Sequence, residues 1–159
     1  MNFRIGYGYD VHRLAEGEEL WLGGILIPFE KGTVAHSDGD VLIHAICDAL
    51  LGAANVRDIG FHFPDNSEKF NKISSLILLE KTVNLLKKEG YRIGNIDATV
   101  CAQKPKLSNY IPEMQACMAR SMSVEINQIS IKATTTENLG FEGRGEGISV
   151  HAVVLIEKG

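Results

Sequence analysis

Asp10, His12 and His44 are the residues whose types and spacing best suit chemistry. On a β-strand, residues i and i+2 project from the same face, so Asp10 and His12 can bind one ion together. At about 100° per residue, His44 lies about 200° around its predicted helix from Ile46, away from the apolar stripe. Two imidazoles and one carboxylate suit Zn²⁺ with an open fourth position. The alternative is that Asp10 and His12 only hydrogen-bond to each other and that His44 is simply exposed.

The segment A-H-S-D-G-D at 35–40 precedes this helix and can hold a phosphate. Backbone amides at a helix N-terminus attract anions, and the imidazole of His36 and the hydroxyl of Ser37 would add hydrogen bonds. A capped helix start explains the same residues equally well. The segment by itself therefore leaves both interpretations open.

A further segment, K-A-T-T-T-E at 132–137, stands at the end of a predicted strand. The hydroxyls of residues 134–136 can cradle a phosphate or a ribose, and Glu137 can hold a magnesium ion that bridges phosphate oxygens. The alternative is that the threonines are ordinary strand formers. A dense group of glycines follows and implies close backbone approach to a ligand: Gly140, Gly143, Gly145 and Gly147. The chain has no Walker or G-x-G-x-x-G pattern, so neither a P-loop nor a dinucleotide-binding site is supported.

The segment A-Q-K-P-K-L at 102–107 leaves another predicted strand through Pro105. Lys104 and Lys106 can meet phosphates, while exposed backbone groups can read the edge of a base. A solvated basic turn is an equally good interpretation of these residues.

Periodic apolar residues predict the elements that position these side chains. Alternation over 3–14 predicts a strand whose apolar face seeks the core, and that face consists of Phe3, Ile5, Tyr7, Tyr9 and Val11. A Gly-Gly pair predicts a hairpin between 20–22 and 25–27. Helical spacing predicts three helices. The first two follow caps at 36–40 and at 74 or 75, the third follows Pro112, and they end near 52, 88 and 122. Residues 53–73 show neither period and are predicted to form a long loop.

The remaining strands are predicted at 91–102, 129–134 and 148–156. The last is almost wholly apolar, which predicts burial on both faces. Strands and helices are mixed without strict alternation, so we expect an α+β fold of the two-layer sandwich type, with helices on one face of the sheet. The length of 159 residues predicts a single domain over 1–159. A domain of this size is small for a deep pocket, so a large ligand would need a neighbouring subunit.

Charge and composition narrow the functional class. The formal net charge is -4, which disfavours nucleic-acid binding. The three cysteines are Cys47, Cys101 and Cys117, and their odd number and wide spacing suit a reducing compartment. No signal peptide or membrane span is predicted, so the expected location is the cytoplasm.

Five segments together give the chain a resemblance to a known family. They are G-Y-D-V-H at 8–12, A-H-S-D-G-D-V at 35–41, D-I-G-x-x-F-P-D at 58–65, A-Q-K-P-K at 102–106 and K-A-T-T-T-E-x-L-G-F-x-G-R-G-E-G-I at 132–148. In this order and spacing the chain closely resembles the 2-C-methyl-D-erythritol 2,4-cyclodiphosphate synthase family of the non-mevalonate isoprenoid pathway. The resemblance runs from end to end of the chain.

The resemblance implies a homotrimer whose sheets pack together and whose active sites lie between neighbouring subunits. It implies that Asp10, His12 and His44 bind Zn²⁺ and that Glu137 helps to bind Mg²⁺ or Mn²⁺ on a diphosphate. His36 and Thr135 become the candidates for stabilising the transition state. The implied substrate-binding residues are Asp10, His12, His36, Ser37, Asp58, Ile59, Gly60, Phe63, Pro64, Asp65, Asn66, Ser67, Ala102, Gln103, Lys104, Pro105, Lys106, Leu107, Ser108, Thr134, Thr135, Thr136, Glu137, Phe141 and Arg144.

The activity implied by the resemblance is ring closure of a cytidine diphosphate-linked substrate. The 2-phosphate of 4-diphosphocytidyl-2-C-methyl-D-erythritol 2-phosphate attacks its own β-phosphorus and expels CMP. This step needs no protein nucleophile, which agrees with the lack of a convincing Ser-His-Asp or Cys-His arrangement. The alternatives are a zinc-dependent phosphohydrolase and a non-catalytic trimer that binds isoprenoid phosphates. The role of His151, where some members of the family carry Glu near the trimer axis, stays open.

Overall fold

A computed structural model describes residues 2–65, 68 and 73–159, and it shows one mixed sheet with helices packed on one of its faces. The strands are β1 (Phe3–Glu16), β2 (Leu20–Leu22), β3 (Ile25–Ile27), β4 (Lys31–Thr33), β5 (Tyr91–Cys101), β6 (Ile129–Thr134) and β7 (Gly147–Lys158). The helices are α1 (Val41–Ala54), α2 (Ile59–His62), α3 (Ser75–Lys88), α4 (Ile111–Met122) and α5 (Gly140–Gly143), with a 3-10 turn at Ile126–Gln128.

The main sheet has the strand order β4-β1-β7-β5-β6, and β2 and β3 form a separate hairpin. All neighbours in the main sheet are antiparallel except β5 and β6, which are parallel. The predicted α+β class and the predicted hairpin are therefore confirmed. The structure adds β4, α2, α5 and the 3-10 turn, which are too short to show a sequence period, and α2 lies inside the segment predicted as a loop.

The first strand turns the opposite face to the core from the one we predicted. Gly6 and Gly8 are buried against α1, and a Cβ atom on Gly8 would lie 2.0 Å from the carbonyl oxygen of Ala45. The apolar residues of β1 point away from the helices, and Ile5 and Tyr7 are 68% and 60% exposed. Burial of backbone against backbone has taken precedence here over burial of side chains, because only glycine lets the helix approach so closely.

The prediction that the last strand is buried on both faces is wrong for the single chain. Residues 148, 150, 152, 154 and 156 of β7 lie in the core beneath the helices. His151 and Val153 point the other way and are exposed. Together they continue the exposed side chains of β1, and we call this surface the outer sheet face: Phe3, Ile5, Tyr7, Tyr9, Val11, His151 and Val153.

The first helix is buried around most of its circumference, which explains its strongly apolar sequence. Asp40 caps its N-terminus by accepting the N–H of Ile43 at 3.0 Å. The same buried carboxylate accepts the backbone N–H groups of Gly23 and Gly24, so it also fastens the β2–β3 hairpin to the helix. Burial raises the pKa of Asp40, and the charge of Asp38 raises it further. In the described part of the chain, no helix has the length and hydropathy needed to cross a membrane.

The contact between β1 and α1 predicts the effect of two matched glycine substitutions. We expect Gly8→Ala to lower the free energy of unfolding by about 1–3 kcal/mol, because the added methyl group would overlap the helix backbone. Gly52→Ala is the control, since Gly52 is exposed in α1 and a Cβ atom there meets nothing within 4 Å. It should raise the free energy of unfolding by about 0.5–1 kcal/mol through helix propensity. Urea unfolding of the two variants measures both values, and equal effects would contradict the proposed reason for the glycine.

Candidate active site

Asp10, His12 and His44 converge on one point where β1 passes α1. The Oδ2 atom of Asp10 lies 2.9 Å from Nε2 of His12 and 3.3 Å from Nδ1 of His44. The two imidazole nitrogens are 3.2 Å apart. Asp10 and His12 point to the same side of β1, as the strand spacing predicted, and the glycines before them bring α1 within reach. One ligand atom from each of the three residues can therefore contact a single metal ion.

The donor set fits a cation such as Zn²⁺. His12 makes a hydrogen bond to the backbone of Val34, which leaves Nε2 to face Asp10. When Nε2 of His12 and Nδ1 of His44 are both unprotonated, Oδ2 of Asp10 is a buried oxygen without a hydrogen-bond donor. Such an orphaned oxygen beside two nitrogen lone pairs is costly unless positive charge lies between them. Nitrogen and carboxylate ligands in a three-residue set match the preference of zinc with a free position.

The ionisation of the cluster shows the same demand for positive charge. Burial alone would raise the pKa of Asp10, but hydrogen bonding and charge from His12 and His44 outweigh it and lower the pKa to about 2. Burial alone would lower the pKa of His12, but the hydrogen bond to Asp10 outweighs it and the net pKa is raised. In the metal-free chain a proton on imidazole thus partly supplies the charge that a metal ion would provide.

A cavity of about 350 Å³ opens beside the three ligands. Several residues implied by the sequence resemblance line it: His36, Ser37, Ile59, Gly60, Phe63 and Asp65. Its far wall is the short helix α2, which Asp58 caps by accepting the N–H of Phe61 at 2.9 Å. Asp48 of α1 accepts the N–H of Ile59 at 2.9 Å and holds α2 against the cavity.

The predicted binding residues of segments 102–108 and 134–137 lie at and after the ends of β5 and β6, and they do not line this cavity. There the N–H of Ala102 bonds to the carbonyl of Thr134 at 3.0 Å, and Gln103 accepts the N–H of Asn138 at 3.2 Å. These bonds bring the segments 102–108 and 134–137 side by side. A second cavity of about 300 Å³ is lined there by Gln103, Lys104 and Arg144, with Lys31. The single chain therefore divides the predicted binding residues between two places.

The predicted binding residues of segments 102–108 and 134–137, with Phe141 and Arg144, differ in their exposure. Ala102 and Leu107 are buried and support the segment, whereas the side chains at the surface are Lys104, Lys106, Ser108, Thr134, Thr135, Glu137 and Arg144. Pro105, Thr136 and Phe141 are half-buried. Glu137 has a left-handed backbone with φ of 55° and belongs to no three-residue cluster of metal ligands in the described ranges.

Pro64 is exposed beside the first cavity, and Asn66 and Ser67 lie outside the described residues.

His44 is less exposed than the helical projection predicted. Its side chain is only 12% exposed, because Ser37 and the start of α3 cover it. Ser75 contacts the imidazole directly, and Asp38 contacts it through the Ser75 hydroxyl. Neither residue was singled out for the site from the sequence. The sequence indicates only that Ser75 is either the N-cap or the first residue of a helix.

Comparison with known proteins gives a consistent result over the whole chain. The model of the YgbB family matches residues 3–157. A 2-C-methyl-D-erythritol 2,4-cyclodiphosphate synthase of Bacteroides fragilis is 62% identical over 158 residues, which cover 99% of both chains. The synthase of Syntrophomonas wolfei is 56% identical over 155 residues, covering 98% of this chain and 99% of the relative.

Solved structures agree with these relatives. IspF of Plasmodium falciparum, in a CDP complex, has a TM-score of 0.86 and 37% identity, and the match covers 99% of this chain and 97% of that one. The bifunctional IspDF of Campylobacter jejuni has a TM-score of 0.95 and 41% identity. That match covers 99% of this chain but only 42% of the bifunctional protein.

The three-residue cluster predicts a specific effect on metal binding. We expect His44→Ala to lower the affinity for Zn²⁺ by more than about 100-fold, since losing an outer-shell partner alone costs about 10–100-fold. His62→Ala is the matched control, because that imidazole bonds to the carbonyl of Val56 at 2.7 Å and lies outside the cluster. Competition with a chromophoric chelator measures the affinities, and circular dichroism checks the fold. Full zinc occupancy in folded His44→Ala would contradict the ligand assignment.

Proposed function

The chain belongs to the YgbB family, and from that premise we propose that it converts 4-diphosphocytidyl-2-C-methyl-D-erythritol 2-phosphate to 2-C-methyl-D-erythritol 2,4-cyclodiphosphate and CMP, a step of isoprenoid precursor biosynthesis. The observation that carries the proposal is the joining, in one cavity, of the Asp10, His12 and His44 cluster with the phosphate-binding candidates His36 and Ser37. The curated synthases at up to 62% identity support the reaction, and the CDP complex of the Plasmodium protein supports the ligand class.

The proposed reaction is an intramolecular phosphoryl transfer. An oxygen of the 2-phosphate forms a bond to the β-phosphorus, and the bond from that phosphorus to the oxygen bridging the α-phosphate breaks. The electron pair leaves with CMP, and an eight-membered ring closes. Such a transfer depends on alignment and on charge neutralisation, so the protein need not form a covalent intermediate.

The residues of the cavity supply the alignment. His36 and Ser37 would hold the attacking phosphate, since they stand at the loop that leads into α1. Asp58 and Gly60 would bind a ribose hydroxyl from the start of α2, which Asp48 holds in place. Thr135 would donate a hydrogen bond to the phosphoryl oxygens as charge develops in the transition state.

The two proposed ions, Zn²⁺ and a second divalent ion, would act as Lewis acids that polarise phosphoryl oxygens and offset their negative charge. Asp10, His12 and His44 would hold Zn²⁺. Glu137 would contribute one carboxylate to Mg²⁺ or Mn²⁺, an arrangement that suits ions bound mainly through substrate phosphates and water. The exposure of Glu137 in the single chain is consistent with ligands that come from the substrate.

We propose that the active unit is a homotrimer, because one chain holds the two groups of binding residues apart. The cluster of Asp10, His12 and His44 and helix α2 of one subunit would face segments 102–108 and 134–137 of its neighbour. The outer sheet face supports assembly, since an apolar surface of this kind marks an interaction site. Packing three outer sheet faces together would also bury the second face of β7, as its apolar sequence predicted.

Two other functions remain as rivals. A zinc-dependent phosphohydrolase would use the open coordination position to activate water and would give linear phosphates. A non-catalytic trimer would bind isoprenoid phosphates without turnover. The ring-closing reaction is favoured over both because the relatives are named as synthases.

A product assay separates the three functions. Purified protein with the cytidyl substrate, Zn²⁺ and Mg²⁺ should release one CMP for each cyclic diphosphate formed, as measured by phosphorus NMR. A chelator should abolish turnover, and restored zinc should recover it. Linear phosphates would indicate the hydrolase, and binding without CMP would indicate the non-catalytic trimer.

The proposed trimer predicts the effect of a charge on the outer sheet face. Val153 is 46% exposed, so Val153→Glu should leave the subunit folded but block sheet packing. Sedimentation velocity should show monomers, and CMP release should fall by about 100-fold or more, because no complete site forms.

Leu26→Glu is the matched control for this variant. Leu26 is 49% exposed on the β2–β3 hairpin, whose strands contact α1 and α4 on the helical side of the sheet. It should stay trimeric and active. A Val153→Glu monomer with full activity would contradict the shared active site.

A further inference from the structure

The outward nitrogen of His44 makes a defined set of contacts. While Nδ1 faces Asp10, Nε2 lies 2.9 Å from the hydroxyl oxygen of Ser75 and 3.2 Å from that of Ser37. Ser75 is fully buried at the start of α3. A neutral imidazole carries one proton, and only the nitrogen without it can bind a metal ion. The partners of Nε2 therefore decide whether Nδ1 is a ligand.

The carboxylate of Asp38 determines which way the Ser75 hydroxyl points. Asp38 accepts the backbone N–H of Ser75 at 2.8 Å and that of Asp40 at 3.1 Å. It also accepts the hydroxyl proton of Ser75 in a short hydrogen bond. A serine hydroxyl has one proton to donate, so its oxygen can act only as an acceptor toward His44. The proton between them must then lie on Nε2 of the imidazole.

We propose that Ser75 and Asp38 are positioning residues that hold His44 as the Nε2–H tautomer and so present the lone pair of Nδ1 to the metal ion. Carboxylate groups acting on a ligand imidazole in this way fix its tautomer and orientation and increase its basicity. The inference rests on the metal site of the proposed function, but it does not depend on the reaction that follows.

Ser37 cannot make the same selection. Its hydroxyl oxygen accepts the N–H of Gly39 at 3.2 Å, but no described carboxylate accepts its proton. The Ser37 hydroxyl can therefore donate to His44 or accept from it, and it leaves both tautomers available. Asp38 is also held in place by its backbone, since its N–H donates to the carbonyl of Ile73 at 3.2 Å. This bond ties the loop before α1 to the start of α3 and keeps the hydrogen-bonded chain together.

Nitrogen-15 NMR of the metal-free protein tests the proposal without any substitution. At alkaline pH, where the imidazoles are neutral, His44 should show a protonated Nε2 and an unprotonated Nδ1, with its signals assigned by their loss in His44→Ala. A His44 with the proton on Nδ1, or an even mixture of tautomers, would overturn the proposal.

Zinc affinity provides the second measurement. Ser75→Ala removes the acceptor, so His44 should become a mixture of tautomers and the dissociation constant for Zn²⁺ should rise by about 10–100-fold. Ser75→Thr keeps a hydroxyl and should keep the tautomer. Ser74→Ala is the matched control, because the Ser74 side chain makes no capping hydrogen bond.

The outcomes of the zinc experiment are separate from those of the enzyme assay. Ser75→Ala with the zinc affinity and tautomer of the unsubstituted protein would overturn the proposal, as would an equal loss in Ser74→Ala. If zinc binding behaves as expected and no cyclic product forms, the positioning role stands and the proposed reaction fails.

Discussion

The close approach of α1 to β1 is the contact on which the rest of the structure depends. Gly6 and Gly8 place strand backbone directly beneath helix backbone, with no room for a side chain between them. The same approach sets Nδ1 of His44 3.3 Å from Oδ2 of Asp10, so the cluster of Asp10, His12 and His44 results from how closely helix and strand pack. It also turns the apolar side chains of β1 outward. One steric condition therefore determines both the geometry of the candidate site and the surface available for assembly.

The site itself is organised by hydrogen bonds that begin outside the three ligands. His12 is held by the backbone of Val34, and His44 contacts the hydroxyl of Ser75. Each imidazole is thereby oriented by a contact on the side that faces away from Asp10. The buried Oδ2 of Asp10 has no hydrogen-bond donor in this arrangement. Such an oxygen is stable only where a positive charge lies beside it.

The division of the binding residues has a simple structural origin. Asp10, His12 and His44 lie where β1 crosses α1, whereas the segments 102–108 and 134–137 follow the ends of the parallel pair β5 and β6. The cavities at these two places have separate linings in the single chain. Assembly through the outer sheet face is the proposed means of joining them.

The sequence by itself determined the α+β class, most helices and strands, and the pairing of Asp10 with His12, because these follow from local periodicity and from the alternation of a strand. It also identified the family, because motifs in a fixed order do not need coordinates. Only the tertiary structure decided which face of β1 is buried and that Ser75, itself bonded to Asp38, contacts His44. Periodicity reports which residues share a face, but the direction of that face depends on what packs against it. In β1, two glycines and a helix backbone outweighed five apolar side chains.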